Sequence, residues 1–190
     1  GETIPNFHNT ASRYRDFEQA VKENASGRAD EVREEIAFIR ARAADCSILT
    51  DLLAKGELPL RVTHNDTKLN NVMLDDVTGR PVCVIDLDTV MPGLSLYDYG
   101  DSMRFGTNPA AEDETDLSKV TCDLNLFEQY TKGFLEECGS MLTPQEIENL
   151  PLSAKLMTLE CGMRFLADHI AGDTYFKIHR EGHNLDRCRT

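Results

Sequence analysis

One short stretch of this chain collects residues that can move a proton, hold a cation and neutralise a phosphate. It reads Thr63-His64-Asn65-Asp66-Thr67-Lys68-Leu69-Asn70-Asn71, and twenty residues after Asp66 an apolar run ends in Asp86-Leu87-Asp88. The chemistry such a set can perform is phosphoryl transfer from ATP, which needs positioning and charge neutralisation more than covalent help. Asp66 is placed to receive the proton of an acceptor hydroxyl. Asn71 and Asp86 offer the hard oxygens that Mg²⁺ prefers, with Asp88 as a further carboxylate, so these residues would also hold the nucleotide through the metal. Lys68 could meet the transferred phosphate as a point charge. His64 reads as a packed residue that braces the loop. Singly, Asp66 and Asn71 suit ordinary turns and Asp86 and Asp88 a solvated strand exit. Their joint spacing, His-x-Asp followed five residues on by Asn and then by a strand-borne Asp, is that of a kinase catalytic loop and its metal-binding carboxylate.

Helices must carry most of the frame around this stretch. Residues 10–24 place Tyr14, Phe17 and Val21 on one stripe, and a second long helix is expected from Val32 to Leu53, closed by Gly56. The period then changes. Residues 60–63, 71–74 and 81–86 read as short strands, and 75–80 has the Asp and Gly chemistry of a hairpin turn. Helical signals return after Pro92-Gly93. Residues 108–116 read as an exposed acidic loop, and Leu124, Phe127, Tyr130, Phe134 and Cys138 mark another helix. Thr143-Pro144-Gln145-Glu146 is a capping box with proline at the first helical position. Pro151 should interrupt, leaving a last helix from 152 to 171 with Gly172 past its end. The fold expected is mainly α with a small β patch (α+β).

Composition narrows the function classes. Of 190 residues 41% are hydrophobic, enough for one ordinary domain, and the longest apolar run is far too short for a membrane span. Lys and Arg number 20 against 33 Asp and Glu, a net charge of −13 that disfavours nucleic acid as a partner. A soluble, cytoplasmic protein with no membrane partner is expected. The six scattered cysteines fit neither a zinc site nor a redox pair and read as reduced, mostly buried thiols. His179 and His183 are four apart, yet Gly182 between them favours a surface pair over a metal site. The chain starts with Gly, not Met, which suggests a piece of a longer protein.

The segment around Asp66 and Asp86 resembles the aminoglycoside phosphotransferase and choline kinase superfamily, whose C-terminal lobe carries His-x-Asp-x-x-x-x-Asn and a later Ile-Asp-x-Asp. Residues 63–74 (THNDTKLNNVML), 84–93 (VIDLDTVMPG), 97–106 (YDYGDSMRFG) and 164–176 (RFLADHIAGDTYF) further resemble bacterial N-acetylhexosamine 1-kinases. The resemblance implies a lobe of kinase-like fold that uses ATP and Mg²⁺ to phosphorylate the anomeric hydroxyl of an amino sugar. It implies that Asp66 touches the acceptor, that Arg164 and Tyr175 reach the sugar, and that Asp98 braces the catalytic loop, although a helix N-cap would also explain that aspartate. No Gly-x-Gly loop and no strand-borne lysine stand before His64, so residues 1–190 read as the C-terminal lobe, with the nucleotide lobe of the same protein outside this chain. The alternatives are a kinase of an aminoglycoside or another small alcohol, and an inactive kinase-shaped scaffold. Retention of Asp66, Asn71 and Asp86 argues against the scaffold.

Overall fold

A computed structural model describes residues 2–190. Seven α-helices and two small antiparallel ribbons make it mainly α with a small β part. The central element is α6, Pro144–Ala171, against which α4 (Ser95–Gly106), α1 (Thr10–Glu23) and α7 (His183–Arg189) all pack. Thr143 caps α6 reciprocally with Glu146, and Gly172 ends it in the left-handed region. The helix runs through Pro151 without the expected break. Packing on three sides holds it there, and Ser153 Oγ donates to the Leu150 carbonyl beside the proline at 2.8 Å.

Two apolar cores lie on opposite stretches of α6. One joins Phe17, Val32, Ile36 and Ile39 to Met163, Leu166 and Ile170. The other joins Leu49, Leu94, Leu96 and Tyr99 to Leu150, Leu156 and Met157. This division explains why the single helix expected from Val32 to Leu53 is instead α2 (Arg33–Arg40) and α3 (Ile48–Ala54), flanked and joined by 3₁₀ turns at Arg28–Val32 and Ala43–Ser47. One straight stripe could not face both cores; Ile36 and Ile39 serve the first and Leu49 the second. The second core also seats α5 (Leu124–Cys138), whose Phe134 ring lies 5.1 Å from that of Tyr99. Gly100 lets α4 cross α6 closely, since a Cβ there would stand 2.5 Å from the Ser153 carbonyl oxygen.

The expected β patch is two ribbons. β2 (Val72–Leu74) pairs with β3 (Pro81–Val84) through the turn at 75–80, where Asp75 Oδ1 accepts from the Thr78 N–H at 2.7 Å. β1 (Arg61–Thr63) pairs with β4 (Met91–Gly93), a strand the sequence pattern conceals behind Pro92-Gly93. A two-stranded edge tolerates that proline. Gly182–Arg189 also holds α7, unmarked in the sequence because its seven residues are too few for a period. Among the described residues no helix is long and apolar enough to cross a membrane. All six cysteines are free, but only Cys46 is fully buried, while Cys83 and Cys122 are exposed.

Arg61 ties β1 to α6. Its guanidinium grips the Glu146 carboxylate with two bonds of 2.6 Å, and Ser95 Oγ adds a third at 2.6 Å. Burial alone would push the Glu146 carboxyl up, but Arg61, Ser95 and the Thr143 N–H together pull it from 4.5 down to about 2. The unfolded chain therefore takes up this proton first as pH falls. The stabilisation is complete above about pH 4.5 and is lost as pH falls through about 2. Glu146→Gln should cost about 2–3 kcal/mol at pH 7 by chemical unfolding, with the gap to wild type closing toward pH 2. A gap independent of pH would show that the carboxylate charge is not what matters.

Candidate active site

The loop between β1 and β2 is tied to two other elements, α4 and the turn that holds Thr89. Asp98, in the first turn of α4, accepts from the His64 N–H at 2.9 Å and from the Asn65 N–H at 2.7 Å. Leu94, not Asp98, occupies the α4 N-cap, so the carboxylate is free to serve the loop. Burial pushes the Asp98 carboxyl up, against the pull of the two N–H donors. Thr67 Oγ1 donates to the Asp98 carbonyl at 2.6 Å and Ser102 Oγ to the Thr67 carbonyl at 3.0 Å, which fastens the next part of the loop to α4. Asn65 sits in the left-handed region, φ 65°, with its amide donating to the Thr89 carbonyl at 2.9 Å. A non-glycine residue in that conformation costs about 1 kcal/mol or more, so the surrounding bonds must hold it.

Those bonds aim Asp66. Its N–H donates to His64 Nδ1 at 3.2 Å, and the other ring nitrogen of His64 donates to the Ile85 carbonyl at 2.9 Å. Because Nδ1 accepts, His64 carries its proton on Nε2 and acts as a brace. Asp66 Oδ2 receives Asn71 Nδ2 at 2.8 Å and Lys68 Nζ at 2.9 Å. Burial opposes the Lys68 charge, yet Asp66, with Glu112 and Asp86 adding their fields, raises its pKa above the ordinary lysine value. The three residues Asp66, Lys68 and Asn71 thus meet at one point.

Asp86 is brought to the same rim by its neighbour. The Ile85 N–H donates to the Asn71 carbonyl at 2.9 Å, while the Ile85 carbonyl takes the His64 bond, so both faces of residue 85 are pinned to the catalytic loop. Asp86 follows in a left-handed conformation, φ 61°. The donor set fits a partly hydrated Mg²⁺: the Asn71 amide turns its nitrogen to Asp66 and leaves its oxygen unengaged, and the Asp86 carboxylate has no bonded partner among the described residues. The Asp66 carboxylate is itself taken up by Asn71 and Lys68, and no group of three or more His, Cys, Asp or Glu converges on a metal position among the described residues. Asp88, on the 3₁₀ turn Leu87–Thr89, joins no such group.

Arg164 and Tyr175 both stand beside Phe176. The Arg164 guanidinium stands 5.6 Å from the Phe7 ring and 5.5 Å from that of Phe176, without an ion pair among the described residues. The Asp168 carboxylate is occupied by the N–H groups of Thr174, Tyr175 and Phe176 and by Asn184. Tyr175 is exposed, its ring edge-on to Phe176 at 4.8 Å. The acidic run is the loop expected, without a buried residue, and two of its carboxylates are paired: Glu112 with Arg104 at 3.3 Å and Asp113 with Arg180 at 2.9 Å. His183 is buried, not on the surface, bonded to Asp113 at 3.0 Å and accepting from the His179 N–H. A cavity of about 1070 Å³ opens between α2, α6 and α7 with Arg104 and Glu112 on its wall, and Asp66, Asn71 and Asp86 are not among its lining residues.

Sequence reading missed His8 and Glu160, which meet at 2.7 Å beside the catalytic loop. They are 152 residues apart, and no local pattern links them. It also passed over Asn65, whose place inside the His-x-Asp motif was the available signal.

Removing the Asp98 carboxylate should free two loop amides without touching either core. In Asp98→Ala the His64 and Asn65 N–H groups should exchange with solvent about 100-fold faster or more, while the amides of α6 keep their wild-type rates. Unchanged exchange at residues 64 and 65 would show that other bonds hold the loop.

Comparison with known families agrees with this geometry. The model of the phosphotransferase enzyme family (APH) matches residues 1–121, a span that includes the catalytic loop, Asp86 and Asp98. With more than half of its length matched and a mainly helical architecture, the chain belongs to the phosphotransferase enzyme family, as the C-terminal lobe of a kinase-like fold.

Proposed function

We propose that this lobe binds the acceptor and the metal for an ATP-dependent kinase that phosphorylates a hydroxyl of a small molecule, the anomeric hydroxyl of an N-acetylhexosamine. The observation that carries the reading is the meeting of Asp66 Oδ2 with Lys68 Nζ and Asn71 Nδ2, at 2.9 and 2.8 Å, on a loop held at its main chain. Asp66 orients the acceptor hydroxyl and receives its proton as the oxygen attacks the γ-phosphorus. Lys68, already drawn to Asp66, is within reach of the transferred phosphate and can follow the negative charge onto it. Asn71 Oδ1 and Asp86 would hold Mg²⁺, which neutralises the β- and γ-phosphate oxygens when bound.

A second lobe, from the same protein, is part of the proposal. Val62, Leu69, Val82, Val84 and Leu87 are exposed around the catalytic rim, and β3 is exposed along its whole length. A valine-rich strand open on both faces suits a covering partner. The nucleotide-binding lobe is the occupant that the chemistry requires, because nothing on this side alone would close over ATP. The cytoplasmic setting expected from the sequence belongs with this reading.

The amino-sugar acceptor is supported by Arg164, whose guanidinium packs by Phe7 and Phe176 with no ion pair among the described residues. Phe7 adjoins His8, which touches the Asn65 carbonyl, so this arginine is linked through two side chains to the catalytic loop. A panel of N-acetylhexosamines, aminoglycosides and choline, assayed with ATP in the protein carrying both lobes, tests the reading. Transfer to N-acetylhexosamine should exceed transfer to the others, and Arg164→Ala should raise the sugar KM about tenfold or more with the ATP KM unchanged. Asp66→Asn should cut kcat by about 10³-fold and leave both KM values within about threefold. Residues 1–190 alone should turn over little or nothing. An acceptor preference for aminoglycosides would move the assignment, and full kcat in Asp66→Asn would remove Asp66 from the proton path.

A further inference from the structure

The peptide bond between Asn65 and Asp66 is gripped at both ends by histidine. On its N–H side, His64 Nδ1 accepts from Asp66 N at 3.2 Å. On its C=O side, the Asn65 carbonyl accepts from His8 Nε2 at 2.8 Å. His8 lies just before α1, and its ring is 8% exposed, edge-on to Phe7 at 4.6 Å and tilted against Tyr97 at 5.3 Å. Its other nitrogen, Nδ1, faces Glu160 Oε1 at 2.7 Å, and the second Glu160 oxygen accepts from Thr10 Oγ1.

A carbonyl oxygen has no proton to give, so His8 Nε2 is the donor to Asn65. Nδ1 meets the Glu160 carboxyl group, which also accepts from Thr10, and this setting favours the imidazolium. The charge is supported from its surroundings: burial works against it, but the Glu160 bond and charge, the Asn65 carbonyl and the field of Asp101 raise the pKa above the usual histidine value. The two histidines therefore hold one peptide plane in opposite roles, His64 accepting from its N–H and His8 donating to its C=O. Neither could replace the other.

We propose that His8 is a positioning residue for Asp66, using its Nε2–H to fix the Asn65–Asp66 peptide and relaying the rigidity of α6 to the base through Glu160. The proposal rests on the phosphotransfer reading only in naming Asp66 as the base; the clamp itself stands on the geometry. The same side chain could instead matter solely as a buried partner for Glu160. The two roles use different nitrogens, which makes them separable.

Asparagine places its amide near the position of Nδ1, and glutamine places its amide near that of Nε2. His8→Gln keeps a donor for the Asn65 carbonyl and gives up the Glu160 bond; His8→Asn does the reverse. In the protein carrying both lobes, His8→Asn should lower kcat about tenfold or more with both KM values within about twofold, while His8→Gln should stay within about threefold of wild-type kcat. Equal kcat in the two variants, or the opposite order, would overturn the positioning role. In residues 1–190 alone, the Asn65 carbonyl ¹³C shift should move upfield and the Asp66 amide should exchange faster in His8→Asn but not in His8→Gln; the same shift in both would overturn the clamp. These signals do not depend on turnover. Should the wild-type protein transfer phosphate to no alcohol, the functional reading fails, and the carbonyl shift still decides whether His8 holds the peptide. If His8→Asn does not fold, His8→Gln alone decides: a displaced Asn65 carbonyl shift in the folded variant would contradict the proposal.

Discussion

The site depends on one carboxylate accepting two consecutive main-chain N–H groups. Asp98 takes the His64 and Asn65 amides, and this bends the chain into the left-handed turn at Asn65 that presents Asp66. Without that acceptor the turn would leave two buried donors unpaired, each costing about 1–3 kcal/mol. With it, each later contact follows within a few residues. His64 can reach back to the Asp66 N–H and across to Ile85, Asn71 can cap Asp66, and Ile85 can deliver Asp86.

The helices exist to keep that carboxylate still. Asp98 rides on α4, which crosses α6 at Gly100 too closely for any larger residue, so α4 has little room to slide. From α6 three side chains reach outward, to the β part, to the N-terminal segment and to the chain after the helix. Glu146 holds Arg61 at the start of β1, Glu160 holds His8 and Thr10, and Asp168 caps the chain after Gly172 through three N–H groups. A single long helix with buried carboxylates thus sets the register of the loop at both its N–H and its C=O sides. The apolar cores supply stability; these polar links supply the aim.

What was legible in the sequence was local. The His-x-Asp spacing, the turn at Asp75 and Gly79, the Thr143–Glu146 capping box and the Gly172 stop each involve residues within a turn or two of one another. Their structures agree with that reading because short-range bonds decide them. What was hidden came from tertiary packing. Cys46 and Ser47 sit in a 3₁₀ turn because two cores compete for one apolar stripe, and Pro151 stays helical because neighbours hold it. β4 exists only through β1, thirty positions earlier, with Arg61 opposite Gly93 and Thr63 opposite Met91. His183 pairs with Asp113 across 70 residues, so of the two histidines four apart, expected as a surface pair, His183 is buried while His179 stays exposed.

The central claim, that Asn71 and Asp86 form the metal end of a phosphotransfer site, is open to one direct measurement on the chain itself. Substoichiometric Mn²⁺ added to ¹⁵N-labelled protein with excess ATP should broaden the signals of Asn71 and of residues 85–88 before any others, because paramagnetic relaxation reports proximity even when affinity is weak. Asp86→Asn should abolish the effect. Broadening centred on another part of the lobe, or an unchanged pattern in Asp86→Asn, would contradict the assignment.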